Sequence, residues 1–317
     1  MKTVVVAGGA NLDMNGRPFQ PLVPKVSNPG CIEAVFGGVA RNIACNLARL
    51  GLGTHLITAF GGDANAVEME KSCREEGIHT EASGHFPDSP SPGFLSVENE
   101  RGEMQVAVAD LRLYDRLDAA FFQDRIEVIR QSNALVVDTN LSTQALLYIA
   151  HNARVPIFID PVSAPRSVRA MPILPFLAGI KPNRYEAERI TGMSVQTPQQ
   201  GLAAAQQMVR MGARRVFLTL GDAGVAVADA SEAFVLRVPP VRVVRDTGAG
   251  DAFMAGVVHA FLQGASLMEM AVCGATLSAL SLSCAETVAP QLSVETLEAE
   301  RLKTQDQYSK EEFKDVR

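Results

Sequence analysis

The sequence predicts an α/β protein: a doubly wound, mostly parallel sheet with helices on both faces and a small β-sheet beside it. Three observations carry this reading. Strand-like runs alternate with helix-spaced apolar patterns along most of the 317 residues, as parallel strands joined by crossover helices require. The alternation lapses around 17–35 and 94–109, where extended patterns replace helices. Glycines accompanied by Asn, Asp or Thr recur just past strand ends, where open α/β sheets bind ligands.

Thr3 to Gly8 reads as a buried strand, and Gly8-Gly9 leads to Asn11 and Asp13 just beyond its C-terminal end. Separated by one residue, these two side chains point the same way if the chain is extended. Asn and Asp are also common turn formers. Arg17 to Val35 holds four prolines and reads as an extended excursion. After Gly37-Gly38, the residues Val39, Ile43, Leu47 and Leu50 recur at helical spacing until Gly51, with Asn42 off that stripe on the first turn. Asn42 is then either a hydroxyl-binding amide or a surface residue beside a tight turn. His55–Phe60 is the next strand and Ala64–Glu76 a helix. Phe94–Glu98 and Glu103–Ala109 pair around Glu100-Arg101-Gly102 and, with the proline-rich excursion, could form a lid over the main sheet's edge.

The βα alternation then resumes: helix Leu117–Arg130, strand Ala134–Asp138, helix Ser142–Asn152, strands Pro156–Ile159 and Gly179–Ile180, helices Arg184–Thr191 and Pro198–Met211, and strand Arg215–Thr219. Val225–Ala228 and Phe234–Val238 form a hairpin around Asp229, and helices Gly250–Gln263 and Leu267–Ser283 follow. Past Ser293 the chain is highly charged and lacks a core pattern beyond Leu302, so a solvated helix or frayed end is expected over 298–317.

Composition narrows the function. A chain this long makes one large α/β domain or two, and 47% apolar residues supply a core. The net charge of -6 gives no global attraction to nucleic acid or anionic membrane. No apolar run is long enough to span a bilayer and the N-terminus lacks a signal-peptide pattern, so a cytoplasmic protein is expected. Five widely spaced cysteines without a Cys-x-x-Cys pair suggest neither a disulfide framework nor a zinc site. There is no Gly-x-x-x-x-Gly-Lys-Ser/Thr loop, and no Gly-x-Gly-x-x-Gly follows the first strand, which weakens a P-loop or dinucleotide-enzyme reading.

The most chemical stretch runs from Val243 to Phe253, a strand-like run breaking into Thr247-Gly248-Ala249-Gly250-Asp251 and then a helix. Gly248 and Gly250 allow a tight turn whose amides converge on an anion. Asp251 is then a helix cap or, beside an anion hole, a general base. Asn183 and Glu186 have capping-box spacing, and the same pair could hold Mg²⁺ through its waters. Thr219, Gly221 and Gly224 lie at another strand end, suited to close phosphate approach.

In order and over most of the chain, Asn11-x-Asp13, Gly37-Gly38 with Asn42, Asn183-x-x-Glu186 and Thr247-Gly248-Ala249-Gly250-Asp251 resemble the ribokinase-like (PfkB) family of carbohydrate and nucleoside kinases. The resemblance implies one kinase domain over 1–317, with lid strands from about 14–36 and 92–110, that transfers phosphate from ATP to a sugar hydroxyl. By position it implies Asp251 as base with Gly248, Ala249 and Gly250 as its anion hole. Asn11, Asp13, Gly37, Gly38 and Asn42 would bind the sugar, Asn183 and Glu186 would organise Mg²⁺, and Thr219, Gly221, Gly224 and Thr247 would line the nucleotide path. Asp246 resembles a position near a monovalent cation such as K⁺. Ser27–Gly30, Gly37–Ala44, Asp160–Ala164, Lys181–Arg184 and Leu280–Cys284 are more similar to members that act on pseudouridine, implying its ribose 5′-hydroxyl as acceptor. Asn28, Asp110 and Asn140 are then candidates for reading the base. The implied partners are a small-molecule nucleoside or sugar and a second copy docked through the lid, with no nucleic acid and no membrane. Another sugar or nucleoside kinase of the family, and a non-catalytic nucleoside-binding protein on the same fold, remain open.

Overall fold

A computed structural model describes residues 1–312; the end of the expected charged tail, 313–317, lies outside the described residues. The strands, in chain order, are β1 (Thr3–Ala7), β2 (Asn11–Pro18), β3 (Gly30–Gly37), β4 (Gly53–Ile57), β5 (Ala59–Gly61), β6 (Ile78–His79), β7 (Gly84–Phe86) and β8 (Gly93–Glu98). They continue with β9 (Met104–Asp110), β10 (Ala134–Asp138), β11 (Ile157–Asp160), β12 (Leu177–Ile180), β13 (Arg215–Thr219), β14 (Val225–Asp229), β15 (Ala233–Arg237) and β16 (Ser309–Glu311).

The large sheet runs β16-β15-β14-β13-β12-β11-β10-β1-β4-β6, parallel from β13 to β6 and antiparallel from β13 to β16. Period-two alternation sorts its side chains into two cores. Val4 and Val6 face Ile43, Leu47, Phe253 and Val257 from helices Val39–Arg49 and Ala249–Leu262. Val5 and Ala7 face Leu146 and Ile149 from helix Thr143–Asn152, in the core that also takes Met208 from helix Pro198–Arg210. Because β1 pairs with both β4 and β10, the strand order reverses beside it. A crevice opens there at the strand C-termini, between Gly8–Asn11 and Asp138–Asn140.

The second sheet, β3-β2-β8-β9, is two-faced. Register places Met14, Ala34, Leu95 and Val108 in one row and Gly16, Ile32, Val97 and Val106 in the next on the same side. That side is apolar, and Met14, Ile32, Leu95, Val106 and Val108 are exposed on it. The opposite side carries Asp13, Asn15, Glu33 and Ser96 and lines a cavity.

Several elements depart from expectation. His55–Phe60 is not one strand: β4 stays in the large sheet while β5 pairs with β7, the change of partner occurring at Thr58, whose carbonyl accepts from Gly84 N at 2.8 Å. The expected helix Leu117–Arg130 starts at Ala119, where Asp118 turns its carboxylate to the Phe121 N–H as a cap, and is interrupted at Asp124 and Arg125 between Ala119–Gln123 and Ile126–Arg130. Val243 and Val244 are exposed and not a strand. Pro239 and Pro240 remove ladder donors, and the N–H of Val244 bonds the Leu282 carbonyl instead. The tail past Ser293 is docked rather than solvated: a Ser293/Thr296 capping box starts helix Val294–Thr304, Leu297 is fully buried, and β16 pairs with β15.

Candidate active site

Helix Ala249–Leu262 begins at Gly248, whose φ of +92° is left-handed and whose Cβ position lies 2.1 Å from the Thr287 carbonyl oxygen. Only glycine fits there. The turn brings Asp251 into the helix's first turn, 8% exposed, where its Oδ2 accepts a 2.8 Å hydrogen bond from Asn42 Nδ2. Asn42 is thus buried on the facing helix rather than at the surface, and its own Oδ1 is buried without a donor.

Lys181, at the end of β12, reaches the same turn. A Cβ on Gly250 would meet its Nζ at 2.7 Å, so glycine at this position admits the ammonium. Nζ also lies 2.8 Å from Asp160 Oδ2 at the end of the neighbouring β11, and both side chains are buried. Burial works to lower the Lys181 pKa, but attraction from Asp160, Glu186 and Asp251 overrides it and the net shift is upward. Burial, then repulsion by Asp160, pushes Asp251 up to about 7 against the attraction of Lys181. The same two causes push Glu186 up to about 7. Asn183 and Glu186 form the capping box: the Glu186 carboxylate accepts from Asn183 N and Nδ2, both at 2.8 Å, and Asn183 Oδ1 accepts from Glu186 N. Among the described residues no three acidic, His or Cys side chains are placed to ligate a metal directly, so the carboxylates of Asp160 and Glu186 fit a cation that keeps its waters.

Two cavities flank the turn. One, of about 820 Å³, lies under the polar face of the small sheet and is lined by Asp13, Asn15, Glu33, Phe94, Ser96, Arg245 and Thr247. Burial raises Asp13 to about 6, although Asn11 Nδ2 donates to its Oδ1 and Arg245 and Arg41 attract it. Gly37 pairs with Asn11 across β2 and β3, and Gly38 is the N-cap of Asn42's helix. The other cavity, of about 540 Å³ and mostly apolar, is lined by Thr219, Gly221, Gly224, Val225, Pro239, Ala249, Gly250, Phe253, Ala279 and Tyr308. Asp246 is exposed and faces both cavities. Thr247 faces the first rather than the second.

The three base-reading candidates each have partners within the protein. Asn28 bonds Val23 and Val26 within its own loop. Asp110 is held by Arg112 on the exposed side of the small sheet. Asn140 is buried, with its Oδ1 accepting from Arg166 at 2.7 Å. Sequence reasoning missed Lys181, Asp160, Asn15 and Ser96. Strand adjacency could have found the first two, since Ile159 pairs with Ile180 and the next residues are Asp160 and Lys181. Alternation along β2 could have found Asn15, two residues beyond Asp13.

A helix N-terminus flanked by a polar and an apolar cavity, with a buried carboxylate and an ammonium at its first turn, suits a phosphotransferase acting on an alcohol group. The profile of the pfkB family carbohydrate kinases matches residues 1–293, and the chain belongs to that family. It is a sugar or nucleoside kinase of this family. It is 34% identical to the pseudouridine kinase of Escherichia coli (strain K12) over 92% of this chain and 94% of that one. It is 26% identical to the guanosine-inosine kinase of Exiguobacterium acetylicum over 90% of this chain and 96% of that one. The structure of Arabidopsis thaliana ribokinase complexed with ribose and ATP superposes with a TM-score of 0.84 over 94% of this chain and 98% of that one, at 20% identity, a likeness of fold.

Proposed function

We propose that the protein transfers the γ-phosphoryl group of ATP to the ribose 5′-hydroxyl of pseudouridine. The observation that carries the chemistry is Asp251: buried, anchored by Asn42, and one residue past the glycine turn whose residues line both cavities. The 34% identity to a pseudouridine kinase along nearly the whole of both chains supports the acceptor. Asp251 takes the hydroxyl proton as that oxygen bonds to phosphorus, and ADP departs with the electrons of the broken P–O bond. Lys181 and the amides of Gly248 to Asp251 donate to the phosphoryl oxygens as charge builds on them. Asn11, Asp13 and the free Oδ1 of Asn42, beside Gly37 and Gly38, hold the ribose. Asn15 has its carbonyl oxygen taken by Ser96 Oγ at 2.6 Å, which leaves its amide N–H groups to a carbonyl of the base. Thr219, Gly221 and Gly224 border the nucleotide in the apolar cavity.

Asp160, Glu186 and Asn183 would hold Mg²⁺ through its waters, and a bound Mg²⁺ neutralises phosphate charge. Asp246, exposed between the cavities, is the carboxylate available to a monovalent cation such as K⁺. The small sheet acts as a lid that keeps water from the phosphoryl group. Its apolar outer face pairs with a second copy. Five free cysteines accord with a cytoplasmic, reducing setting.

The test is ATP consumption with pseudouridine, uridine, ribose, adenosine and fructose as competing acceptors. Pseudouridine should give the highest kcat/KM. A higher value for ribose or fructose removes the proposed acceptor and leaves only the family activity.

A further inference from the structure

The family match ends at residue 293, yet the chain continues and docks. Helix Val294–Thr304 packs on helix Leu267–Leu282, and a turn at Gln305–Gln307 then leads into β16. Strand β16 extends the large sheet at β15, with Arg237 paired to Glu311 and Lys310 Nζ 2.8 Å from Glu232.

Tyr308 is where this segment crosses the helix. Its hydroxyl lies 3.1 Å from Thr276 Oγ1. Tyr308 lines the apolar cavity together with Ala275, Ser278 and Ala279. Tyr308 also lines a second cavity of about 190 Å³ beside Met268, Val272 and Arg301, so the residue stands between the two. Its position along the cavity is also defined. The glycine turn lies by Leu282, whose carbonyl holds Val244. Thr276 is about 9 Å back along the helix axis, at the end away from the phosphate-binding amides. Among the described residues, Phe253 is the one aromatic residue besides Tyr308 that lines this cavity.

We infer that residues 294–311 are a strap that completes the base end of the nucleotide site, with Tyr308 supplying a planar wall against the purine. This rests on the reading of the apolar cavity as the ATP site. An aromatic face is worth a large share of base affinity, and without it the cavity opens into the groove behind.

The experiment measures ADP binding by calorimetry for the full chain and for Tyr308→Ala, Tyr308→Leu and Tyr308→Phe, with folding checked by circular dichroism. Inhibition by inorganic tripolyphosphate is measured alongside as a probe of the phosphate end. Tyr308→Ala and Tyr308→Leu should weaken ADP about tenfold, in the range of base–aromatic stacking. Tyr308→Phe should recover most of that loss, and tripolyphosphate inhibition and the pseudouridine KM should move less than about twofold. Parent-like ADP binding by folded Tyr308→Leu overturns the inference, as does an equal weakening of tripolyphosphate. If the parent protein binds no ADP, the nucleotide-site reading itself fails and the inference with it.

Discussion

Replacing Asp251 by Asn removes the proposed base while keeping its shape, and the structure sets two opposite consequences. The Asn42 Nδ2 donor 2.8 Å from Asp251 Oδ2 finds the new amide oxygen in the same place, and Lys181 keeps Asp160 at 2.8 Å, so the local fold persists. Activity should nevertheless fall, by about 10² to 10⁴ in kcat, the range for a lost general base. Stability should change the other way. Burial, then Asp160, raises the Asp251 pKa from 3.8 to about 7. The fold therefore favours the protonated carboxyl: that stabilisation is fully present below 3.8 and is lost as pH rises through about 7. At pH 8 the ionised group destabilises the parent by on the order of 4 kcal/mol, at about 1.4 kcal/mol per pKa unit. The substituted amide never ionises, so Asp251→Asn should melt several degrees above the parent at pH 8, with the gap narrowing at pH 5. Steady-state ADP release and thermal denaturation of the ligand-free protein at both pH values measure the two effects. A kcat loss under tenfold refutes the base, and a variant less stable than the parent at pH 8 refutes the burial argument.

Further outcomes follow from the same geometry. The kcat/KM profile should rise with pH through an apparent pKa near the value of about 7 set by Asp251 and its neighbours. Lys181→Met should move that limb upward, because Lys181 attraction lowers the Asp251 pKa; a limb near pH 4 contradicts both. Asn15→Ala should raise the KM for pseudouridine by about two- to tenfold, the value of one hydrogen bond, with little effect on ribose. Equal losses for both acceptors would assign Asn15 to the sugar or to sheet structure instead. Ile32→Lys combined with Val108→Lys charges the exposed apolar face of the small sheet and should halve the mass seen by sedimentation equilibrium. An unchanged dimer places the interface elsewhere, and a parent already monomeric removes it.

The parts of the fold set by local rules were legible. Strand β10, helix Arg184–Thr191 and strand β13 fall on the expected residues, since each is an apolar run or stripe bounded by turn or capping residues. The glycine turn and the residues near strand ends were legible because a doubly wound sheet gathers such residues in one crevice. What the pattern did not show was which partner each group takes. Phe60 reads as the continuation of β4 until Gly84 claims the neighbouring Thr58 carbonyl. Asn28 and Asp110 have the right chemistry for a base, but their nearest partners are Val23, Val26 and Arg112 in their own loops. The docked tail was hidden because its burial rests on one residue, Leu297, and its strand on a free sheet edge.

The small sheet and the base share one mechanical route. Strand β3 ends at Gly37, Gly38 caps the next helix, and the Asn42 N–H closes its first turn on the Gly38 carbonyl at 2.9 Å. The Arg41 N–H, one residue earlier, bonds the Gly9 carbonyl at the crevice of the large sheet. Asn42 is therefore positioned by both sheets. Through its two amide atoms it grips Asp251 with one and leaves the other buried and unpaired. A buried carbonyl oxygen without a donor is unfavourable by about 1–3 kcal/mol, and an acceptor hydroxyl in this position would relieve it. On the proposed function, acceptor binding and orientation of Asp251 become one event at one side chain, and an amide suits the position: a carboxylate would repel Asp251, and an apolar residue would hold neither group.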